Sequence, residues 1–290
     1  MPSIDYFAHG FITPAASYIM SSIGCLLGLL LAARAREAGG QSRVLWLGGA
    51  ALSIGGTGIW VMHFIAMTGF EVRGTAIRYD VPLTIASALL AIVVVGAGLF
   101  LVSAKGTGPV SLISGGLLTG LGVAGMHYLG MAAMNMSAHV NYDPLLVTLS
   151  VLIAVVAATV ALWFSLRASG ALAITGAALL MGVAVNGMHY TGMFSMAVTL
   201  DATAMSMPGA SAMDFMLPLI IGISLITLGL LLTIFLSPSE QEMREDAALL
   251  SQLRQPRDGS VLPPAPAPAP AARPAESRPS SLFDSSDPGH

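Results

Sequence analysis

Charge is scarce in this sequence. Only 12 basic and 15 acidic residues occur among 290, which is 9% of the chain, whereas 55% of the residues are hydrophobic. Soluble domains carry about 25% charged residues, so this chain has too few charges to cover a globular surface. The composition therefore disfavours a soluble enzyme, a nucleic-acid-binding protein and a secreted scaffold, and no nucleic-acid partner is expected.

Cysteine is almost absent as well. Cys25 is the single cysteine, so an internal disulfide is impossible and no zinc or iron–sulfur site can be built from cysteines alone. Cys25 itself is expected to be a small core residue. Any metal site in this protein must therefore rely on other ligands.

Long hydrophobic runs take the place of the missing charges. Their length of about 20 residues matches a hydrocarbon layer about 30 Å thick, and none of them contains Asp, Glu, Lys or Arg. We predict an all-α, polytopic membrane protein with seven transmembrane helices. These lie at about 13–33, 44–68, 81–103, 110–133, 145–166, 171–198 and 215–236, and the lipid bilayer is the first expected partner.

The basic residues indicate the orientation of the helices. Ten of the twelve follow odd-numbered helices, and only Arg73 and Arg78 lie on the other side. Because basic links stay in the cytoplasm, we predict an outside N-terminus and a cytoplasmic C-terminus. Residues 1–12 then form an extracytoplasmic segment.

The last segment, residues 237–290, differs from the rest of the chain. We predict a cytoplasmic tail with a short helix within Ser239–Gln255, followed by a disordered end that is rich in proline and alanine. About 54 residues are too few for an enzymatic output domain. No nucleophile–base pair or phosphate-binding loop occurs either, so enzymatic activity is not expected.

Histidine marks an internal repeat. Three similar hexapeptides occur at Met62–Met67 (MHFIAM), Met126–Met131 (MHYLGM) and Met188–Met193 (MHYTGM), with histidine-to-histidine steps of 64 and 62 residues. The pair Tyr79-Asp80 before the third predicted helix recurs as Tyr142-Asp143 before the fifth. A fixed period indicates copied structural units. We therefore predict three parallel helix-hairpin repeats plus one further helix.

The three histidines are expected at one depth. Each lies 17 to 19 residues after the start of its predicted helix, which at 1.5 Å per residue is about 25–29 Å from the cytoplasmic edge. That depth is near the outer boundary of the hydrocarbon. A helix bundle would then bring His63, His127 and His189 together.

The residues around the histidines predict a metal site. On a helix, positions i and i+4 share a face, which places each motif histidine over the methionine that closes its hexapeptide. Imidazole and thioether ligands favour copper, and no carboxylate is present in the helices for a harder ion. The predicted ligands are Met62, His63, Met67, Met126, His127, Met131, Met188, His189 and Met193. Methionine is also an ordinary packing residue, so core packing remains the alternative for the methionines.

Several further residues are candidate accessory ligands. They lie beside the motifs or on the same side of the membrane, and they are Tyr128, Tyr190, Met134, Met196, His9 and His139. Met134 and Met196 would continue the methionine stripe at i+7. Gly130 and Gly192 are expected to allow close helix packing, and Asn186 to form a hydrogen bond between helices.

The motifs resemble those of the MHYT domain family, which is named after these residues. The resemblance covers about Ile12 to Leu236, and the third copy matches in full, whereas Phe64 and Ala66 of the first copy depart from the pattern. It implies a bacterial membrane sensor whose Met, His and Tyr residues bind copper and, through it, oxygen, carbon monoxide or nitric oxide. The implied residues are the nine ligands above with Tyr128 and Tyr190.

The resemblance also implies a role in signalling at the bacterial cytoplasmic membrane. Many family members carry cytoplasmic signalling domains, so we expect this chain to pass its signal to an unidentified output protein. Two other functions stay open at this point. One is copper transport or handling, and the other is a haem protein in which two of the histidines are axial ligands.

Overall fold

The computed structural model describes residues 4–106, 108–200, 208–211, 214, 217–236 and 249–250. The described part is all-α with seven helices, and the longer of its two compact units is Met1–Glu240. The helices are α1 Ile12–Glu37, α2 Gly40–Met67, α3 Val81–Lys105, α4 Pro109–Ala132, α5 Pro144–Arg167, α6 Ala171–Phe194 and α7 Leu217–Leu236. The other unit, Gln241–His290, is described only at Leu249 and Leu250, which are helical and exposed.

The seven-helix prediction is confirmed, although some helix ends differ by up to four residues from the predicted ones: α1 ends at Glu37 and α2 begins at Gly40. Helix α6 ends at Phe194 and not at Val198, because Met196–Leu200 forms a strand. Its sequence alternates buried and exposed side chains, as a strand requires. The predicted short helix and the Pro/Ala-rich end of the tail lie outside the described residues except at Leu249 and Leu250.

Six helices, α1 to α6, are long and apolar enough to span a membrane, and α7 contains a shorter apolar stretch, Leu217–Thr233. The protein is therefore a polytopic membrane protein. The helices run past the predicted hydrophobic spans and take up basic residues in their last turns, such as Lys105 and Arg167. Cations are favourable there because they face the negative end of the helix dipole.

Six helices form a closed ring in chain order. Each of α1 to α6 packs against the next, and α6 packs against α1. The three helices that carry the motifs, α2, α4 and α6, also contact one another inside the ring. The arrangement is a pseudo-threefold ring of three helix hairpins. Helix α7 packs outside it, against α1 and α2, and Thr227 hydrogen-bonds Thr57.

Short strands close each hairpin at the end of the ring where the motif helices finish, which we call the motif end. The N-terminal strand β1 (Ile4–Asp5) pairs with β2 (Glu71–Val72) in the first repeat. Strands β3 (Arg78–Tyr79) and β4 (Met134–Asn135) pair in the second, and β5 (Ala138–Tyr142) and β6 (Met196–Leu200) pair in the third. The three repeats are thus residues 4–72, 78–135 and 138–200.

The repeated Tyr-Asp pair has a structural role in these closures. Asp80 accepts a hydrogen bond from Leu83 N and caps α3, and Asp143 caps α5 in the same way, as N-cap residues do. Their backbone N–H groups donate to Ala133 O and Ser195 O, both at 2.8 Å.

The first repeat uses different residues at the same place. Ala8 N donates to Gly69 O at 2.9 Å, so Phe7-Ala8 occupies the position of the Tyr-Asp pairs. Alanine offers no capping oxygen, and α1 begins at Ile12 with Phe11 as its N-cap residue and without a side-chain cap. This is one of several substitutions that set the first repeat apart.

Helix α2 is the most irregular of the motif helices. Its segment Leu52–Val61 is π-helical, with Ser53 to Val61 buried. A Cβ on Gly55 would lie 2.7 Å from Ala91 O, and one on Gly24 would overlap the backbone of Gly58. Helix α2 therefore packs backbone to backbone against α1 and α3.

Candidate metal centre

The three motif histidines meet on the pseudo-threefold axis. Their Nδ1 atoms are separated by 3.0 Å (His63 to His189), 3.1 Å (His127 to His63) and 3.4 Å (His189 to His127). The rings are nearly perpendicular to one another, with interplanar angles of 80 to 85°. We call this group the histidine triad. All three side chains are buried, with at most 1% exposed.

The triad cannot be satisfied by hydrogen bonds among its own members. A neutral imidazole has one N–H and one lone pair, so each Nδ1 is either a donor or an acceptor. Among three mutually close Nδ1 atoms, at least two must be of the same kind, and these two repel one another. A cation at the centre removes the conflict, because all three Nδ1 atoms then present lone pairs.

The triangle also has the size that a metal ion requires. The point equidistant from the three Nδ1 atoms lies about 1.8 Å from each of them, close to the metal–imidazole distance of about 2.0 Å. No carboxylate or thiolate joins the group within the described part of the chain. The donor set is therefore neutral, and the residues present fit a soft ion of low charge.

The other imidazole nitrogens rest on glycines of the neighbouring repeat. A Cβ on Gly130 would overlap His63 Nε2, and one on Gly192 would overlap His127 Nε2. The three Nε2 atoms are buried and lack a hydrogen-bond partner among the described residues. The motif glycines thus make room for an imidazole, which is more specific than the close helix packing we predicted. The first repeat has Ala66, also buried, at this position.

The six predicted methionine ligands lie in the core of the motif end. Met62, Met67, Met126, Met131, Met188 and Met193 are all at most 2% exposed. Met134 and Met196 were predicted to extend the helical stripe, but they lie in strands β4 and β6. Since α4 and α6 end before them, no helical face carries the stripe that far.

The tyrosine hydroxyl of the second motif connects neighbouring repeats. Tyr128 OH hydrogen-bonds the buried Ser150 Oγ on α5 of the third repeat. Ser87 holds the same position in the second repeat and accepts from Trp60 Nε1 at 2.9 Å. Ser17 of the first repeat donates to Asn186 Oδ1 at 2.8 Å, so Asn186 bonds between helices as predicted.

These serines were missed in the sequence, although a signal was present. Ser87 and Ser150 are 63 residues apart and each follows its capping aspartate by seven residues. A comparison of the repeats beyond the hexapeptide would have found both.

Aromatic pairs close the ring of repeats in the same cyclic order. The aromatic residue of each motif packs on the one that opens the next repeat, with centroid distances of 5.6 to 6.0 Å. The pairs are Phe64–Tyr79, Tyr128–Tyr142 and Tyr190–Phe7. Burial raises the pKa values of Tyr79 and Tyr142, so both phenols are neutral at physiological pH.

The remaining candidate ligands lie at the surface of the motif end. His9 is exposed and lines a cleft that also reaches Met67 and Glu71. His139 is exposed on strand β5. Neither belongs to the buried group of three histidines.

Known proteins share the repeat. A family model described as "MHYT: Bacterial signalling protein N terminal repeat" matches residues 56–115 and 120–178, which include the first two motif histidines. No solved structure matches the chain.

Three longer signalling proteins are similar to this chain. A bifunctional diguanylate cyclase/cyclic di-GMP phosphodiesterase, MucR of Pseudomonas aeruginosa, is 36% identical over 87% of this chain and 37% of its own length. The cyclic di-GMP phosphodiesterase NbdA of the same organism is 37% identical over 54% of the chain and 20% of its own length. The signalling protein YkoW of Bacillus subtilis is 31% identical over 59% of the chain and 22% of its own length.

The chain therefore spans little more than a third of the first relative and about a fifth of the other two. The matched repeats and the three histidine motifs agree with the resemblance predicted from the sequence. This polytopic membrane protein belongs to the MHYT family of bacterial signalling proteins.

Proposed function

We propose that this protein is a membrane sensor that binds one copper ion, as Cu(I), through Nδ1 of His63, His127 and His189. The observation that carries the proposal is the triangle of three buried Nδ1 atoms, 3.0 to 3.4 Å apart, whose lone pairs need a cation. The signalling relatives support the sensor role. The orientation predicted from the basic residues places the triad near the outer face of the cytoplasmic membrane.

Charge favours copper over zinc at this site. The triad is buried in a membrane protein, and no anionic side chain belongs to the group in the described residues. The cost of burying an ion rises with the square of its charge, so a monovalent ion is far less unfavourable here than a divalent one. The six methionines of the motifs are buried in the same part of the core, and thioethers are soft ligands that favour Cu(I).

The geometry favours a single ion over haem. Two axial imidazoles lie on opposite faces of a flat macrocycle, with their ligating nitrogens about 4 Å apart at ordinary metal–nitrogen distances. The Nδ1 atoms of the triad are closer than that, and three rings occupy the space that a macrocycle needs. Copper transport is less favoured than sensing, because the predicted ligands lie at one level of the bundle.

A diatomic gas is the proposed signal. Held by the three imidazoles, Cu(I) would supply the chemistry that binds oxygen, carbon monoxide or nitric oxide. The chain contributes three neutral donors in a fixed arrangement and a buried setting that excludes water. Side chains from all three repeats meet at the triad, so a change there alters the packing between repeats.

The output is proposed to lie outside the seven-helix unit. The relatives named for cyclic di-GMP enzymes are longer than the region they share with this chain, and residues 12–236 contain no catalytic constellation in their described part. We expect the membrane unit to act on a separate cytoplasmic or membrane component and not to catalyse a reaction itself.

A Cu(I) titration tests the proposed function. The purified protein in detergent micelles is titrated against a chromophoric Cu(I) chelator, beside a variant with His63→Ala, His127→Ala and His189→Ala. We expect one tightly bound Cu(I) per chain in the natural protein and none in the variant. The matched control is His9→Ala with His139→Ala, which should bind as the natural protein does.

Two other outcomes would contradict the proposal. Equal copper in the triple variant would remove the triad as the site. A strong Soret absorbance of the purified protein that disappears in the triple variant would replace copper with haem.

A further inference from the structure

A small apolar cavity lies inside the ring of helices. Its volume is about 50 Å³, and its wall includes Ile59, Val123, Val185 and Met188 together with alanines of α5. A cavity of this size holds a molecule larger than one water. It is separate from the polar cleft at the motif end.

The cavity lies directly beneath the histidine triad. Ile59, Val123 and Val185 each precede their motif histidine by four residues. In the α-helices α4 and α6 this spacing places Val123 and Val185 on the face of the histidine, one turn further from the motif end, and Ile59 holds the equivalent position in the π-helical segment of α2. All three motif helices therefore contribute the equivalent residue to the wall. Met188, one residue before His189, also lines the cavity.

Water has too few polar partners in this cavity. Its wall contains no charged residue, and its one hydroxyl, that of Thr119, donates to Val94 O and leaves only its oxygen as an acceptor for water. A buried water needs two to four polar partners, whereas cavities lined by aliphatic side chains stay dry and take up apolar molecules. The cavity thus suits a small uncharged molecule of low polarity.

A groove on the membrane-facing surface adjoins this cavity. It runs between α5 and α6, with a volume of about 390 Å³, and it is lined by the exposed Leu152, Val156 and Leu180. The groove and the cavity share Ala157, Met181 and Ala184. Two alanines and one flexible methionine are thus all that the two spaces have in common as a wall.

We infer that this cavity is a binding site for a small apolar molecule of diatomic size, which arrives from the lipid through the wall of Ala157, Met181 and Ala184. In this arrangement the molecule reaches the underside of the triad without crossing the polar motif end. The role of the cavity as the site that a gas occupies before it reaches the metal rests on the proposed function. The cavity and its route to the lipid are properties of the metal-free chain.

Xenon is the probe that tests the site without copper. The metal-free protein, labelled at the methyl groups of isoleucine and valine, is followed by NMR in detergent micelles under increasing xenon pressure. Methyl signals of Ile59, Val123 and Val185 should shift along a saturating curve. Those of the exposed Val93 should shift linearly, because xenon dissolves in the surrounding micelle.

Variants test the cavity and the route separately. Ala158→Leu fills the cavity from α5 and should weaken saturable xenon binding about tenfold; Ala158→Val is the milder replacement if the leucine variant does not fold. Ala184→Phe, with Ala184→Leu as its milder form, adds bulk to the wall that the cavity shares with the groove and should slow xenon exchange more than it weakens saturable binding. Ala97→Phe, at an exposed position of α3, is the matched control and should change neither.

Different results overturn different parts of the inference. Linear shifts at all three cavity methyls, or unchanged saturation in a folded Ala158 variant, would remove the binding site. Unchanged exchange in folded Ala184 variants would remove the route. Xenon binding without Cu(I) binding in the titration above would keep the cavity and reject the copper sensor, whereas Cu(I) binding without xenon would do the reverse.

Discussion

The first repeat and the two that follow it share an architecture but differ at most of the motif positions. Repeats two and three have Tyr-Asp openings, a tyrosine after the histidine and a glycine three residues after it. The first repeat has Phe7-Ala8, Phe64 and Ala66 at these places, and its motif helix contains the π-helical segment Leu52–Val61. Within the hexapeptide, only the histidine and the first and last methionine are the same in all three repeats.

The difference separates residues that can be exchanged from those that are fixed. The hydrogen bond to the buried serine of the next repeat is kept although its partner changes from a tyrosine hydroxyl to Trp60 Nε1. The cap on the first helix is lost without loss of the backbone bond that closes the hairpin. The scaffold tolerates such exchanges, whereas the triad needs one imidazole from each repeat.

The strongest test of this comparison is to remove the histidines one at a time. We predict that His63→Ala, His127→Ala and His189→Ala each weaken Cu(I) binding at least about 100-fold, since two imidazoles remain where three met. The loss should be the same for the divergent first repeat as for the others. Competition titration measures it, and a variant at His63 that binds normally would show that the first repeat stands outside the site.

The glycines beneath the imidazoles should give the next largest effect. Gly192→Ala places a methyl group on His127 Nε2, so we predict a loss of about 1–3 kcal/mol in the free energy of unfolding and weaker Cu(I) binding. Gly187→Ala is the matched control, because a Cβ there meets nothing within 4 Å. Unfolding in mixed detergent micelles measures both variants, and equal stabilities would contradict the proposed packing.

The capping aspartates should matter less. Asp143→Ala removes the acceptor for Leu145 N and Leu146 N, and loss of an N-cap costs about 1 kcal/mol. Because Ala8 shows that the hairpin closes without this side chain, we predict normal Cu(I) binding. The same unfolding assay gives the stability, and a loss of Cu(I) binding would mean that the cap also positions the triad.

The tyrosine hydroxyl is predicted to have an effect as small as that of the cap. Tyr128→Phe removes the hydrogen bond to Ser150, which still donates to Val147 O, so we predict a cost of about 0.5–1.5 kcal/mol and unchanged Cu(I) affinity. The variant gives the second motif the aromatic residue of the first. An affinity loss as large as that of a histidine variant would make Tyr128 a ligand and contradict this assignment.

Much of the fold was predictable because a bilayer imposes strict limits. Uncharged runs of about 20 residues have few alternatives to a spanning helix, and the fixed rise of a helix placed the histidines at one depth. The end of α6 was predicted wrongly because Met196–Val198 is apolar and suits a strand as well as a helix. The π-helical segment of α2 depends on its close packing against α1 and α3, which local sequence does not specify.

The site was predictable in its ligands but not in its geometry. The repeated histidines indicated one shared site, and the structure brings them together. Contacts between repeats determine which nitrogen each imidazole turns toward the centre of the triad. They also determine that Gly130 and Gly192 make room for the imidazoles of His63 and His127. The cavity beneath the triad depends on how six helices fill space, and no short motif encodes it.

X-ray absorption at the copper edge of the Cu(I)-loaded protein tests the central claim most directly. We predict a first shell dominated by three nitrogens at about 2.0 Å, with multiple scattering from the imidazole rings. These signals should vanish in the triple histidine variant. A shell made of sulfur alone, or an unchanged spectrum in the triple variant, would show that the histidine triad does not hold the metal.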